Sequence, residues 1–155
     1  KTFVQKKTDN FILFHTDYYQ RNKFKALIEI THKHGIGVLT ITNTHHFAAL
    51  WHETEVLAEN NLIGIACTAY MPSVAPTGAT KPLFGTNPIC FGTPTGSKIP
   101  FILDTSISMI NRGKIRVAAK EGLKIPEGVA LDKYGKPTTD AKKALEGVQL
   151  PIAGF

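Results

Sequence analysis

The clearest indication of the fold comes from "HGIGVLTITNTHHFAALWHETEVLAENNLIGIACT", residues 34–68. Its first part, residues 36–42, is rich in β-branched residues and predicts a strand. A segment with apolar residues at helical spacing follows, and "NLIGIACT" then predicts a buried strand. A helix with Asn22 as N-cap is expected to precede the stretch and to end at Gly35. This alternation predicts an α/β layered domain in which helices flank a mixed β-sheet with buried parallel strands.

The helix inside this stretch is predicted to begin near Asn43 or Thr44, since either residue is a good N-cap. Apolar and small residues recur every three or four positions, so one side of the helix is expected to face the core. That inward stripe consists of Phe47, Leu50, Trp51, Thr54, Leu57 and Ala58.

Length and composition indicate an ordinary soluble protein. The 155 residues suffice for a single domain spanning residues 1–155, and 43% hydrophobic with 19% charged residues is typical of globular chains. No apolar run approaches the roughly 18 residues of a membrane span, and the N-terminal residues lack the apolar core of a secretory signal. A cytoplasmic protein with no membrane partner is therefore expected.

The net charge of +6 raises the question of an anionic partner. The lysines are dispersed, and aromatic residues do not interleave with them as a nucleic-acid stacking surface requires. We therefore expect a small anion and no nucleic acid. The histidines lack the i, i+4 spacing of a helical metal motif and no CxxC pair is present, so no metal site is predicted. Cys67 and Cys90 lie in apolar runs and are predicted to be buried free thiols.

The second half of the chain differs from the first in composition. Residues 70–88 are rich in proline and glycine, and ordered loops of this length are usually functional. Within them Asn87 precedes a proline, which predicts extended backbone. The segments "ICFGTP" and "PFILDT" predict two strands joined by "TGSK". A helix over residues 112–121 should end at Gly122, and a short helix is expected near residues 140–145.

Two places carry candidate chemistry. His45 and His46 follow a predicted strand and precede a helix, where the helix dipole favours the neutral imidazole that a general base needs; a structural capping role is the alternative. Asp104 ends the strand "PFILD", and its carboxylate suits a ribose, an amide or a catalytic histidine, or else an N-cap. Neither GxGxxG nor GxxxxGK[ST] occurs, so a Rossmann fingerprint and a P-loop are both excluded.

Six segments in order resemble the malate/L-lactate dehydrogenase family, the non-Rossmann NAD(P)-dependent oxidoreductases of 2-oxo and imino acids. They are "HGIGVLTITNTHHF", "LAENNLIGIACT", "VAPTGATKPLFGTNPICF", "PFILDTSIS", "RGKIRVAAKEGLKIPEGVALDKYGKPTTD" and "LPIAGF". The resemblance covers about residues 24–155. It implies a non-Rossmann fold and hydride transfer between NAD or NADP and a small 2-hydroxy or 2-oxo acid.

The resemblance also implies roles for particular residues. His46 matches the family histidine that exchanges a proton with the substrate hydroxyl. Tyr70 stands where the family usually has a serine near the cofactor, and Thr86 and Asn87 of "GTNP" are the candidate substrate-binding residues. The segment expected to lie against the nicotinamide cofactor consists of Pro100, Phe101, Ile102, Leu103, Asp104, Thr105 and Ser106.

The family is about twice as long as this chain. The resemblance therefore implies the central, cofactor-binding part of such an enzyme, without the family's N-terminal helical region and C-terminal helices. The full-length form is expected to be a homodimer. Two alternatives stay open at this point: a non-catalytic truncated or remnant domain that keeps the fold, and a basic module that binds small anions.

Overall fold

The computed structural model describes residues 4–5, 17–41 and 49–152. The chain divides into two compact units. The first consists of Lys1–Ala66 with Cys90–Asp104, and the second of Cys67–Ile89 with Thr105–Phe155. That residues 1–155 form one domain stays a prediction. The elements are β1 (Val4–Gln5), α1 (Asp17–His34), β2 (Leu39–Thr40), α2 (Trp51–Glu59), β3 (Gly64–Cys67), β4 (Ile89–Thr93), β5 (Phe101–Thr105), α3 (Arg112–Glu121), β6 (Ala130–Leu131), α4 (Ala141–Glu146) and β7 (Val148–Gln149).

The first unit opens with α1, which begins at Asp17 rather than after the predicted cap Asn22. Its end is as predicted, because Gly35 adopts a φ of +77° and its N–H donates to the Thr31 carbonyl at 2.8 Å. Of the strand predicted over residues 36–42, only β2 is paired in the described residues, in parallel with β1. "NFILFHT", a further segment of possible strand character, lies outside the described residues.

Helix α2 packs closely on a three-stranded sheet of order β3-β4-β5. The close approach depends on Gly92 in β4, where an added Cβ would lie 2.8 Å from Thr54 Cβ and 2.9 Å from the Thr54 carbonyl oxygen. Gly64 in β3 plays the same part, because a Cβ there would lie 2.9 Å from Leu57 Cδ1. Two glycines thus let the helix backbone sit against the strands.

The predicted inward side of α2 is largely confirmed, since Leu50, Thr54, Leu57 and Ala58 are buried. The predicted start of α2 and the predicted burial of Trp51 were wrong. The helix begins at Trp51, not near Asn43 or Thr44, and its N-cap Leu50 makes no side-chain capping bond. Trp51 is 47% exposed instead of facing the core. The remaining predicted stripe residue, Phe47, lies outside the described residues.

Strand β3 lies where "NLIGIACT" predicted it, but it is not buried. Ile63 and Ile65 are 68% and 67% exposed. Cys67 is exposed as well, which contradicts its predicted burial, whereas Cys90 is buried as predicted, and both cysteines are free. An apolar run is typical of a buried strand, but in the described residues this side of β3 is exposed to solvent.

The second unit gathers its core around α3 and α4. Asn111 caps α3 by accepting from Gly113 N at 2.6 Å, and Gly122 ends it with a φ of +71°. Asp140 caps α4 by accepting from the N–H groups of Lys142 and Lys143. The helix predicted over residues 112–121 and its end at Gly122 are confirmed, and the short helix predicted near residues 140–145 is observed at Ala141–Glu146. The core side chains between them are Ile115, Ala119, Ile125, Val129, Ala130, Ala141 and Ala144.

Short strands complete the second unit. β6 and β7 pair antiparallel through Ala130 with Gln149 and Leu131 with Val148. Helices combined with parallel and antiparallel strands confirm the α/β class, although the described strands form three small sheets and not one. No helix in the described ranges is long and apolar enough to cross a bilayer.

Candidate functional site

The N-terminal end of α2 is held by a carboxylate from β5. Asp104 Oδ2 accepts a hydrogen bond from Trp51 N at 2.9 Å, and these residues are 53 positions apart in the chain. Trp51 is the first residue of the helix, so its N–H has no acceptor within the helix. Asp104, predicted either to cap a helix or to serve chemistry, therefore caps a helix that is remote in sequence.

Glu53 places a second carboxyl group on the same helical turn. The residue is only 8% exposed, and its Oε2 atom is buried without a hydrogen-bond partner among the described residues. Burial raises the pKa of Glu53; a bond from its own backbone N–H and the charge of His52 lower the pKa, and the charge of Asp104 raises it further. Burial prevails because an ionised oxygen without a donor loses its hydration.

Thr54 ties α2 to the centre of the sheet. Its hydroxyl lies 3.0 Å from Cys90 Sγ and donates to the Trp51 carbonyl at 3.1 Å. Since that hydroxyl has a single proton, Cys90 is the donor in the first contact. Burial raises the pKa of the Cys90 thiol, so it stays protonated and suited to this structural bond.

Strand β5 presents different chemistry on its two sides. Ile102 and Asp104 point to α2, since Ile102 Cδ1 would lie 2.9 Å from a Cβ added at Gly92 and Asp104 bonds to the helix. Phe101 and Leu103 alternate with them and are 53% and 51% exposed. The side of β5 away from α2 is therefore an accessible apolar surface.

In the second unit, a hydrogen bond joins the "GTNP" turn to the backbone of Tyr70. Asn87 Oδ1 accepts from Tyr70 N at 3.1 Å. Asn87 has a φ of +35°, so the predicted extended backbone was wrong. The side-chain bond explains the difference, because asparagine tolerates this region when its amide is held locally. A Cβ on Gly85 would collide with the Tyr70 carbonyl, so the turn also requires glycine there.

Other predicted residues in this unit make local bonds. The Thr86 carbonyl accepts from Ile107 N at 3.0 Å. Ser106 Oγ lies 3.1 Å from Ser108 Oγ, and Thr105 Oγ1 makes a long 3.4 Å bond to the Ser106 carbonyl. The main chain of Thr86 and the hydroxyl of Ser106 thus contribute to the stability of their own unit.

The predicted site residues are distributed over both units. Pro100 to Asp104 lie in the first; Thr105, Ser106, Tyr70, Thr86 and Asn87 lie in the second. His45 and His46 lie outside the described residues. In the part of the chain that is described, no three His, Cys, Asp or Glu side chains converge as metal ligands.

Glu53 was not among the residues predicted from the sequence to carry function. A local signal was present, because Leu50, Glu53, Thr54 and Leu57 follow the i, i+3, i+4, i+7 spacing of the buried side of α2. A carboxylate on an inward position is uncommon and marks a candidate functional group.

The sequence identifies the family. The profile of the malate/L-lactate dehydrogenase family matches residues 18–155. The α/β chain with this carboxylate-capped helix therefore belongs to the malate/L-lactate dehydrogenase family, as the six ordered segments indicated.

Individual relatives include reductases and a dehydrogenase. Delta(1)-pyrroline-2-carboxylate reductase 2 of Burkholderia multivorans is 44% identical over 129 residues, which cover 83% of this chain and 38% of that protein. L-sulfolactate dehydrogenase of Methanocaldococcus jannaschii is 44% identical over 120 residues, 77% of this chain and 35% of that protein. The crystal structure of delta1-piperideine-2-carboxylate reductase from Pseudomonas syringae superposes with a TM-score of 0.80 at 38% identity, covering 86% of this chain and 41% of that one. The chain thus spans little more than a third of the length of these relatives.

Proposed function

We propose that this chain is part of an NAD(P)-dependent oxidoreductase that reduces a small 2-oxo acid or a cyclic 2-imino acid. The observation that carries the proposal is the 44% identity, over 83% of the chain, to a protein named as a pyrroline-2-carboxylate reductase. The reduction of a ketone and the reduction of a cyclic imine require the same two additions. Each needs a hydride at C2 and a proton on the adjoining oxygen or nitrogen.

The residues of β5 fit a nicotinamide cofactor. Phe101 and Leu103 offer an exposed apolar surface on one side of the strand, which suits the face of a planar ring. When bound, the cofactor supplies the hydride that the reduction consumes. Phe101 and Leu103 would hold the ring by apolar contact and exclude water from its face. Asp104 would act indirectly, by fixing α2 against the strand.

His46 would supply the proton. A neutral or protonated imidazole can exchange a proton with the substrate oxygen or nitrogen near neutral pH. Asn87 would hold the substrate from the GTN turn. Its Oδ1 is occupied by Tyr70 N, so its Nδ2 donors are the atoms available to a substrate oxygen.

Cofactor binding by the chain itself tests the ring surface. Trp51 is the only tryptophan, and reduced nicotinamide absorbs its emission, so a titration with NADH or NADPH reports binding directly. About half of the Leu103 side chain is exposed and would become buried against the cofactor ring. Leu103→Ser removes this apolar contact and should weaken binding roughly fivefold. Leu123→Ser is the matched control, because Leu123 is a similarly exposed leucine, 57% against 51%, in the other unit. Equal affinities in both variants would contradict the assigned surface.

The proton-transfer role is tested by activity. The protein that carries this chain is mixed with reduced cofactor and Δ1-pyrroline-2-carboxylate, Δ1-piperideine-2-carboxylate, pyruvate or 3-sulfopyruvate. His46→Gln should lower kcat/KM about a hundredfold or more, whereas the neighbouring His45→Gln should cost clearly less. Equal losses, or losses that follow a lower melting temperature, would make the pair structural.

A further inference from the structure

Gln149 joins three segments of the second unit. Its backbone N–H donates to the Ser73 carbonyl at 2.9 Å, and its carbonyl accepts from Ala75 N at 3.1 Å. Its side-chain Nε2 donates to the Ile110 carbonyl at 2.6 Å. The side chain is fully buried, yet its Oε1 atom has no hydrogen-bond partner among the described residues. A buried amide with one unpaired end lowers stability, which favours a functional reason for its presence.

The Ile110 carbonyl connects Gln149 to Ser106, one of the residues predicted to lie against the cofactor. Ser108 Oγ donates to the same carbonyl at 3.0 Å, and it lies 3.1 Å from Ser106 Oγ. Only the NH₂ end of the Gln149 amide can bond to a carbonyl, so the orientation of this amide is fixed. Every step from the buried amide to the Ser106 hydroxyl is therefore a direct contact within hydrogen-bond distance.

The proton of the Ser106 hydroxyl is used within the protein. Ser108 Oγ has one proton, and the Ile110 carbonyl takes it because a carbonyl can only accept. Ser108 Oγ can then only accept from Ser106, whose other acceptor is the Ser108 carbonyl at a longer 3.4 Å. The partly exposed Ser106 Oγ thus offers lone pairs to an outside partner. It suits a hydrogen-bond donor, such as a carboxamide or a sugar hydroxyl, rather than a phosphate or carboxylate oxygen.

We propose that Gln149 is a positioning residue that holds the Ser106 hydroxyl as a hydrogen-bond acceptor for a donor group of the cofactor. The inference rests on the proposed function, because it takes a nicotinamide dinucleotide as the ligand. Gln149 acts through the Ile110 carbonyl, which two donors hold in one orientation. That orientation fixes the hydroxyl of Ser108, and through it the hydroxyl of Ser106. The carboxamide and the ribose hydroxyls of the cofactor supply donors of the required kind.

Backbone bonds keep these segments together without the Gln149 side chain. Met109 N, for example, donates to the Leu150 carbonyl at 2.9 Å. In Gln149→Met the Ile110 carbonyl keeps Ser108 as a donor, and an apolar group of similar size replaces the unpaired Oε1. The urea midpoint of Gln149→Met should therefore equal or exceed that of wild type.

The cofactor kinetics of the protein that carries this chain test the positioning role. Ser106→Ala removes the acceptor and should raise KM for NADH or NADPH roughly three- to tenfold, as expected for one hydrogen bond. Gln149→Met should raise the same KM about threefold or more with kcat nearly unchanged. It should add nothing in the Ser106→Ala background, because it acts through Ser106. Ser73→Ala is the matched control, since it removes another buried, unpaired polar atom of the same unit and should leave KM unchanged.

Three results would overturn the positioning role. These are an unchanged KM in Gln149→Met, additive effects of Gln149→Met and Ser106→Ala, and a rise in KM that accompanies a lower urea midpoint, which would make Gln149 structural. In each of them wild type stays active, so the proposed function is unaffected. If wild type oxidises neither reduced cofactor with any of the 2-oxo or 2-imino acids, the proposed function itself fails and the positioning role fails with it.

Discussion

The bond between Asp104 and Trp51 separates a structural from a chemical role for this aspartate. Asp104→Ala deprives the first N–H of α2 of its acceptor and removes the charge that favours the helix N-terminus. Loss of such a cap costs about 0.5–2 kcal/mol. Asp104 is exposed, so water replaces part of the lost bond and we expect about 1 kcal/mol. Asp104→Asn keeps an acceptor and should cost about half as much.

The assay is urea unfolding followed both by Trp51 fluorescence and by far-ultraviolet circular dichroism. Fluorescence reports the helix end itself, because Trp51 is the residue that Asp104 contacts. For a domain of this size, about 1 kcal/mol corresponds to a fall of roughly 2–4 °C in melting temperature. Glu127→Gln is the control, since it removes an exposed carboxylate outside α2.

The order expected for the unfolding free energy is wild type, Asp104→Asn, then Asp104→Ala, with Glu127→Gln close to wild type. If Asp104→Ala matched Glu127→Gln, the cap would contribute nothing measurable and the reasoning would be refuted. If Asp104→Asn weakened nicotinamide binding with stability unchanged, Asp104 would contact the cofactor directly.

Three further outcomes follow from the described contacts. Gly92→Ala should lower the unfolding free energy by about 1–3 kcal/mol, because the new methyl meets the backbone of Thr54 and neither can yield; a neutral effect would exclude close helix–sheet packing. Cys67 should react with a thiol reagent in the folded protein and Cys90 only after unfolding; equal rates would contradict the exposure of Cys67 and the burial of Cys90. Asn87→Ala should be less stable to heat than Asn87→Gly, since glycine adopts a φ of +35° without strain; the reverse order would show that the turn relaxes.

Local signals predicted the elements whose ends are set locally. Helix α3 lies between Asn111 and Gly122, and Asp140 precedes α4, so the capping residues and the glycine are adjacent to what they terminate. Strands β4 and β5 were predicted equally well, because the turn "TGSK" separates two runs rich in strand-forming residues. The family and its ordered segments were predicted in the same way, from contiguous motifs.

Distant partners explain what the sequence could not predict. The start of α2 was misplaced because its capping carboxylate comes from Asp104, 53 residues away, whereas the prediction considered only nearby polar residues. The backbone of Asn87 was mispredicted because the bond to Tyr70 N overrides the usual restriction before proline. The exposure of Ile65 was not predicted, because an apolar run indicates that a strand needs covering side chains but does not identify which residues cover it.

The carboxylate at the N-terminal end of α2 also bears on where the proposed substrate would bind. A free helix N-terminus attracts carboxylates, and a 2-oxo acid carries one. Here Asp104 already accepts from the first N–H of α2, so one donor of this helix end is occupied by a carboxylate of the protein itself. A second anion therefore finds one donor fewer at this helix end. We therefore expect the carboxylate of the proposed substrate to bind a cationic or amide group other than this helix end, such as the amide of Asn87.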